Sequence, residues 1–198
     1  MKILTPEKAR VSVFADTQAQ AENLEQAISA SGYACAGRFH LSDMVETTRP
    51  LPASDAIVIR CDAPNDALFG WIKEIKRVNP RPVTLFSEDD TRDTMQAAIS
   101  AGVDAYMTVG IAGNRIRSSV DLAFAHHTDK TTLLEKIEDL SSTLMERKLT
   151  ERAKGIIMKE RGLAENEAFR FLQKTAMNRN MRMSELSRTI VEAADLLA

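Results

Sequence analysis

The chain has 198 residues, 44% of them hydrophobic and 27% charged, and its formal net charge is −2. This composition is typical of a folded globular protein and excludes disordered, fibrous and uniformly cationic chains. The N-terminus lacks a signal peptide's apolar core, no apolar run reaches the ~18 residues of a membrane span, and two cysteines make neither a disulfide framework nor a zinc site. We therefore expect a cytoplasmic protein with no membrane partner.

Residues 1–127 alternate between strand-like and helix-like stretches, and we interpret them as one domain. The predicted strands are Arg10–Phe14, Tyr33–Gly37, Ala56–Ile59, Pro82–Phe86 and Ala105–Thr108. The predicted helices are Ala19–Ser31, Leu41–Thr48, Pro64–Val78, Thr91–Ala101 and Ile111–His127. Five strands that are each followed by a helix predict a doubly wound α/β domain, with ligand sites at the carboxyl ends of the strands.

This order of elements resembles the receiver domain of signalling proteins. The resemblance implies an acidic pair after strand one, a phosphoacceptor aspartate four residues before a proline after strand three, a hydroxyl after strand four and a lysine after strand five. Here the acidic pair is reduced to Asp16, and Arg60 stands four residues before Pro64. Ser87 matches the hydroxyl position, whereas Val109 stands in place of the lysine.

Arginine at the acceptor position is decisive for the chemistry of this pocket. Phosphoryl transfer to an aspartate needs Mg²⁺ held by carboxylates, and Arg60 can neither accept the phosphoryl group nor tolerate the metal beside it. Asp62 replaces the acceptor only if the register shifts by two residues. We therefore interpret residues 1–127 as a pseudo-receiver with a vestigial pocket at Asp16, Arg60, Asp62 and Ser87. A phosphorylation-controlled response regulator of a two-component system remains the alternative.

An apolar stripe follows the polar segment Thr128–Lys130, with spacings of three and four residues that are typical of a helix. The stripe consists of Leu133, Leu134, Ile137, Leu140, Leu144, Leu149, Ala153 and Ile156. One helix of about 30 residues would be about 45 Å long and needs a partner to bury this stripe. We expect residues 128–146 to form a homodimeric coiled coil, and folding back on the same chain is the alternative.

Positive charge is concentrated near the C-terminus. Residues 147–182 hold ten Lys and Arg against four Asp and Glu, a local surplus of six. At about 100° per residue, Lys148, Arg152, Gly155 and Lys159 fall within roughly 60° of one another on the helix surface. Mid-helix glycine costs about 1 kcal/mol relative to alanine, and it usually marks close approach by another backbone or a ligand. This surface suits an anionic polymer, and the alternative is a solvated helix whose lysines only maintain solubility.

Two shorter helices complete the chain. They are predicted at Leu163–Arg179 and at Glu185–Leu197, the second with Ser184 as its cap, and a basic turn, Asn178–Arg182, joins them. The candidate nucleic-acid contacts are Lys148, Arg152, Lys154, Gly155, Lys159, Arg161, Arg179 and Arg182. A DNA-binding transcription factor is a further alternative, although neither short helix carries the polar pattern of a base-reading helix.

The segment 146–169 closely resembles the ANTAR domain, an RNA-binding antitermination module. The resemblance lies in Arg147 followed by Ala153-Lys154-Gly155, in the Gly162-Leu163 break and in Ala168-Phe169. It implies a three-helix domain at residues 147–198 that binds paired stem-loops in nascent leader mRNA, so that polymerase reads through. Sequence-specific RNA reading targets unpaired loop bases, because side chains cannot enter the A-form major groove. Phe169 either stacks on a base or packs in the helical core, and we favour packing.

Three further segments are similar to the nitrate-assimilation antiterminators of this family, namely Pro80–Asp90, Ala101–Tyr106 and Arg188–Leu197. That similarity implies sequestration by a sensor protein that binds nitrate or nitrite, and not control by phosphorylation. One departure is Ala164, which stands where the family has a serine cap. Because the sequence shows no nucleophile–base pair, we expect no enzyme activity, no cofactor and no metal.

Overall fold

The computed structural model describes residues 9–42, 53–108 and 115–196. The chain separates into two compact units, Met1–Thr131 and Thr132–Ala198. The three-part division into residues 1–127, 128–146 and 147–198 stays a prediction. None of the described helices combines the length and the apolar character of a membrane span.

The first unit contains a five-stranded parallel sheet in the order β2-β1-β3-β4-β5. Its strands are β1 (Arg10–Ala15), β2 (Ala34–His40), β3 (Ala56–Arg60), β4 (Val83–Ser87) and β5 (Ala105–Thr108). The strand order reverses between β1 and β3, and ligand sites of doubly wound sheets lie at this switch point. The predicted α/β fold is confirmed, and each described strand lies within three residues of its predicted position.

Three helices of this unit begin at capped residues: α1 (Gln18–Ala30), α2 (Asp66–Val78) and α3 (Arg92–Ala101). Thr17, Asn65 and Thr91 each accept a backbone N–H from the first turn of the helix that follows. The cap at Asn65 places the start of α2 two residues after the predicted Pro64. Most of the helix predicted at Leu41–Thr48 lies outside the described residues.

Both faces of the sheet are covered, which explains its nearly continuous apolar strands. Along β3 the side chains alternate: Ile57 and Ile59 face a core built with α2 and α3, whereas Val58 faces a core built with α1. All three are buried. This packing fixes the carboxyl ends of β1, β3 and β4, and with them the residues of the vestigial pocket.

A single helix, α4, covers Ile116–Arg161. It runs without interruption through the polar segment Thr128–Lys130. The helix continues because residues 116–154 contain neither glycine nor proline. The Thr128 and Thr131 hydroxyls donate to the carbonyls of Phe124 and His127 at 2.9 and 2.8 Å, so they find partners within the helix.

The second unit packs the end of α4 against α5 (Glu165–Asn178) and α6 (Met183–Leu196). Its buried core consists of Ala153, Ile157, Ala168, Leu172, Ala176, Leu186 and Val191. Gly162 ends α4 with a positive φ of 64°, a conformation that glycine adopts at little cost. The predicted cap at Ser184 is wrong: α6 begins at Met183, and the Glu185 carboxylate accepts the Arg182 N–H at 3.2 Å.

Candidate nucleic-acid interface

Five of the predicted cationic residues lie exposed on the second unit. They are Lys148, Lys159 and Arg161 on α4, Arg179 at the end of α5, and Arg182 before α6. Among the described residues, no carboxylate lies within 4 Å of any of these five side chains. Their charge is therefore not neutralised within the described part of the chain and is available to an external anion.

Arg152 is exposed but paired. Its Nη2 lies 2.5 Å from Asp195 Oδ1 on α6, and the two side chains are 58% and 53% exposed. An ion pair in this much water contributes about 0–1 kcal/mol, because solvent screens the charges and both side chains lose freedom. A phosphate can therefore replace Asp195 at little cost.

Lys154 is not on the cationic surface, contrary to the expectation from the sequence. Its side chain is 11% exposed, and Nζ lies 2.5 Å from Glu151 Oε2 and 2.7 Å from Glu165 Oε1. Lys154 donates hydrogen bonds to Glu151 and Glu165, and these bonds, the one to Glu151 first, raise the pKa of Lys154; the bond to Lys154 in turn lowers the pKa of Glu165. On the helical wheel, Lys154 lies about 60° from the buried Ile157, so its stem packs inward. We assign Lys154 a structural role, in which its ion pair with Glu165 joins α4 to α5.

Gly155 is exposed, and a Cβ atom placed there would meet no atom within 4 Å. Packing within the described chain therefore does not require glycine at this position. Alanine would be the better helix former by about 1 kcal/mol. The position lies between Arg152 and Lys159 on the same side of α4, where a close approach could come only from outside the described chain.

Phe169 is 44% exposed and does not belong to the buried cluster of the second unit, so the favoured expectation that it packs in the core is wrong. Ala168 and Leu172, four residues apart on α5, take the inward positions. Phe169 lies about 100° around the helix from Ala168. Its ring lines an open cleft of about 520 Å³ between α4 and the start of α6 at Met183.

The residues of the vestigial phosphorylation pocket come together at the carboxyl ends of β1, β3 and β4. Asp16 Oδ2 accepts the backbone N–H of Asp62 at 3.0 Å, and the Ser87 hydroxyl donates to the Asp62 carbonyl at 3.2 Å. The Arg60 guanidinium lies between two carboxylates, with Nη2 2.7 Å from Asp62 Oδ1 and 3.0 Å from Glu88 Oε1. Its side chain is only 14% exposed.

Both carboxylate oxygens of Asp62 are occupied in this pocket. Oδ1 accepts from Arg60 Nε at 2.9 Å, and Oδ2 accepts from Gln20 Nε2 at 2.8 Å. Gln20 and Glu88 are not among the residues predicted for this pocket. Gln20 stands three residues after the cap Thr17 and Glu88 directly follows β4, and only these positions could have indicated them. Val109, at the family's lysine position, lies outside the described residues.

Neither metal ligands nor a reactive thiol are evident around this pocket. Within residues 9–42, 53–108 and 115–196, no three His, Cys, Asp or Glu side chains are placed to hold a metal ion. Burial, followed by the charge of Asp16, raises the pKa of the Cys61 thiol to about 12, so this cysteine stays protonated at neutral pH.

Comparison with known proteins identifies the second unit. Residues 138–191 match the ANTAR domain family. Over 183 residues the chain is 25% identical to the transcriptional regulatory protein PdtaR of Mycobacterium tuberculosis, a match that covers 92% of this chain and 89% of PdtaR. A stretch of 56 residues, 28% of this chain, is 39% identical to the nitrate regulatory protein of Klebsiella oxytoca and covers 14% of that protein.

Solved structures show the fold of the first unit. A putative pilus assembly-related protein from Burkholderia pseudomallei K96243 superposes with a TM-score of 0.50 at 15% identity, covering 64% of this chain and 96% of the other. A two-component response regulator of the LuxR family from Aurantimonas sp. SI85-9A1 superposes with a TM-score of 0.50 at 18% identity, covering 60% and 86%. The chain therefore combines a receiver-like fold in its first unit with an ANTAR domain at residues 138–191.

Proposed function

We propose that this protein is an RNA-binding regulator of transcription antitermination that binds paired stem-loops in nascent leader mRNA. The observation that carries the proposal is the set of exposed cations without a carboxylate partner on the ANTAR domain: Lys148, Lys159, Arg161, Arg179 and Arg182. Such cations bind phosphates and release their counterions, which drives association with nucleic acid. A cation that is already paired with a carboxylate must give up that carboxylate when it binds a phosphate.

We assign phosphate and base-edge contacts to these five residues and to Arg152. Lys154 supports the site from within, through Glu151 and Glu165. Loops of stem-loops are the favoured target, because unpaired bases expose edges that an A-form duplex hides. The open surface at Gly155 then admits the RNA backbone close to α4.

Gly155→Ala tests this part of the proposal. The substitution should raise the free energy of unfolding of the second unit by about 0.5–1 kcal/mol, because alanine is the better helix former and nothing lies within 4 Å of the new methyl group. RNA binding should nevertheless weaken. Glycine also occurs mid-helix at Gly70 on α2, where no neighbour lies within 4 Å, so Gly70→Ala is the matched control. A variant that is more stable and binds RNA as the wild type does would contradict a close approach at Gly155.

The active form in this proposal is a homodimer. Six large apolar side chains on α4 are 56–65% exposed: Leu133, Leu134, Ile137, Leu140, Leu144 and Met145. Leu133, Ile137, Leu140 and Leu144 follow the alternating spacing of a coiled-coil seam. A second copy presents the same seam, and two ANTAR domains in one dimer match a pair of stem-loops, which raises avidity. Sedimentation should show a dimer that Leu140→Glu converts to a monomer.

The receiver-like unit, in this proposal, responds to a partner protein. The Arg60 guanidinium already contacts both Asp62 and Glu88, so it occupies the place that a phosphoryl group and its metal would need. Two relatives are named as regulators, one of them of nitrate. We propose nitrate or nitrite assimilation genes as targets and a nitrate- or nitrite-binding sensor protein that sequesters the regulator. The proposed functional division is a pseudo-receiver at residues 1–127, a coiled-coil linker at 128–146 and an RNA-binding domain at 147–198.

Binding to the RNA that co-purifies with the protein tests the central proposal. Lys159→Ala should weaken binding about 10-fold at low salt and lower the slope of log affinity against log salt by roughly one unit. Lys73→Ala, an exposed lysine on the receiver-like unit, serves as the matched control and should change neither quantity. An unchanged slope for Lys159→Ala would count against the assignment, and tighter binding to competing duplex DNA would favour a DNA-binding transcription factor.

A second candidate function rests on the assembled pocket, in which Asp16, Asp62 and Ser87 lie together. If Asp62 accepts a phosphoryl group, acetyl phosphate should alter RNA binding by the wild type and leave Asp62→Ala unaffected. The proposal made here predicts no response in either protein.

A further inference from the structure

The two aromatic side chains of the second unit lie in different surroundings. The Phe171 ring packs against the buried cluster, and the Arg161 guanidinium covers it 4.3 Å from its centre. The Phe169 ring is 44% exposed and has no ring or cation contact with any described residue. All ten aromatic residues of the sequence are described, and only Phe169 is exposed to this degree.

An exposed phenyl ring contributes little to the stability of the domain that carries it. Its neighbours on α5 fill the core without it, since Ala168, Leu172 and Ala176 are buried. A bare aromatic face is, however, a stacking surface that accepts any nucleobase, because every base has a π-face. The domain therefore presents such a surface beside its exposed cations.

The ring lies in the cleft of about 520 Å³ described above, whose volume falls within the range of small-ligand sites. This volume admits one base together with its ribose. Along the α4 wall stand Glu146, Arg147 and Thr150, and Ser184 stands at the start of α6. The cleft thus combines one aromatic face with hydroxyl, carboxylate and guanidinium groups.

Two of the three charged side chains on this wall, Glu146 and Arg147, have no ion-pair partner among the described residues, whereas the third, Glu151, is paired with Lys154. Within the described residues, no carboxylate lies within 4 Å of the Arg147 guanidinium, and no cation lies within 4 Å of the Glu146 carboxylate. Arginine donates to base acceptors, and glutamate accepts from the exocyclic amines of bases. A donor and an acceptor side by side match the mixed edge of a base better than they match a phosphate.

We infer that this cleft binds one unpaired RNA base, which stacks on Phe169 with its edge toward Glu146 and Arg147. The inference rests on the proposed function and adds a base-binding subsite to the phosphate contacts. Lys148 and Arg182 are exposed and directly adjoin the cleft residues Arg147 and Met183 in the chain, and we assign them to the flanking phosphates. The competing occupant is a second copy of the chain, because Arg147 continues the spacing of the stripe after Leu140 and Leu144.

The experiment uses the full chain and two fluorescent RNA hairpins with identical stems. One loop carries randomised bases with a single 2-aminopurine, and the other consists of abasic nucleotides. The wild type should bind the base-carrying loop about 10-fold more tightly or better, in line with the contribution of base–aromatic stacking, and should quench the 2-aminopurine. Phe169→Leu, which keeps an apolar side chain without the ring, should lose most of this preference for the base-carrying loop and keep the salt slope of the wild type.

Two further variants complete the design. Phe169→Tyr keeps the ring and should retain the preference, and Met177→Ala removes an apolar side chain that is 73% exposed outside the cleft and should change nothing. A Phe169→Leu variant that keeps the full loop preference would overturn the inference. The inference would also be overturned if Phe169→Leu lost self-association in sedimentation but kept the preference for the base-carrying loop, because a second copy of the chain, and not an RNA base, would then occupy the cleft. Salt-dependent binding of both hairpins by the wild type, without loop preference, would overturn the subsite alone, whereas no RNA binding would overturn the proposed function itself.

Discussion

The pocket of the receiver-like unit and the surface of the ANTAR domain treat positive charge in opposite ways. In the pocket, Arg60 is largely buried and contacts two carboxylates within 3.0 Å. On the ANTAR domain, cations such as Lys148 and Lys159 are exposed and have no carboxylate within 4 Å among the described residues. A charge that is paired within the fold serves the fold, and an unpaired one is available to a ligand.

This difference separates two roles that the same residue types could otherwise share. Lys154 and Lys159 lie on one helix five residues apart, yet Lys154 joins α4 to α5 through Glu165, and Lys159 faces outward. Charge counts along the sequence cannot distinguish them. Four predictions test this contrast, in order of decreasing expected effect.

Removing four unpaired cations together should nearly abolish RNA binding. The variant with Lys148, Lys159, Arg179 and Arg182 replaced by alanine should lose about 1,000-fold in affinity at 0.1 M salt and lower the salt slope by about three to four units. Filter binding from 50 to 300 mM salt measures both. The free energy of unfolding of this variant should change by no more than about 0.5 kcal/mol for each substitution, because none of the four side chains is paired in the described chain. Retained affinity with a full slope would place the RNA elsewhere.

A cavity in the core of the ANTAR domain should destabilise the three helices that carry its cationic surface. Leu172 is fully buried between α4, α5 and α6, and Leu172→Ala should lower the free energy of unfolding of the second unit by about 2–5 kcal/mol through the cavity it leaves. Urea unfolding followed by circular dichroism measures this loss. The exposed Leu196→Ala is the control and should change stability little. A loss below 1 kcal/mol would show that the three helices do not share one core.

Removing Arg60 should leave the carboxylates of the receiver-like pocket without a cation and so destabilise the first unit. Arg60→Ala should lower the free energy of unfolding of the first unit by about 1–2 kcal/mol, since it leaves Asp62 and Glu88 close together without a cation. Mg²⁺ should then restore part of this stability, as measured by thermal unfolding. Arg38→Ala breaks more exposed pairs, with Glu22 at 3.5 Å and Glu25 at 3.2 Å, and should cost less and show no Mg²⁺ effect. Equal losses of unfolding free energy in both variants would mean that the Arg60 ion pairs contribute no more stability than the exposed Arg38 pairs.

The smallest effect concerns His127 on α4. Burial, followed by the charge of Lys76, lowers the pKa of this imidazole, although Asp104 raises it, and Lys130 lowers it further. Because the unfolded state then takes up the proton first, the free energy of unfolding of the first unit should fall as the pH decreases from about 6.5 toward the lowered pKa. His127→Gln should flatten this part of the stability curve between pH 5 and pH 7. A curve that keeps its slope in the variant would assign the dependence to other groups.

Local sequence signals predicted much of the first unit. The apolar run at Ala56–Ile59 and the polar caps at Thr17 and Thr91 are short-range features, and the strands and helices begin close to them. The predicted cap at Ser184 is wrong because the Glu185 carboxylate accepts the Arg182 N–H, and α6 begins at Met183, two residues before the predicted Glu185. The sequence of Thr128–Lys130 alone does not decide whether α4 continues, since polar residues without glycine or proline are compatible with a helix or a turn.

The sequence by itself determined the parallel α/β fold, the ANTAR resemblance and the absence of an aspartate at the position of Arg60, because each depends on residue identity and spacing along the chain. Only the tertiary structure decided which charges are paired and which aromatic ring is bare. Lys154 meets Glu165 across the Gly162 break, Arg60 meets Glu88 between β3 and β4, and Phe169 turns out of the core that Ala168 and Leu172 fill. Such contacts depend on the side of a helix or strand that packs, and this side is fixed only when the elements assemble.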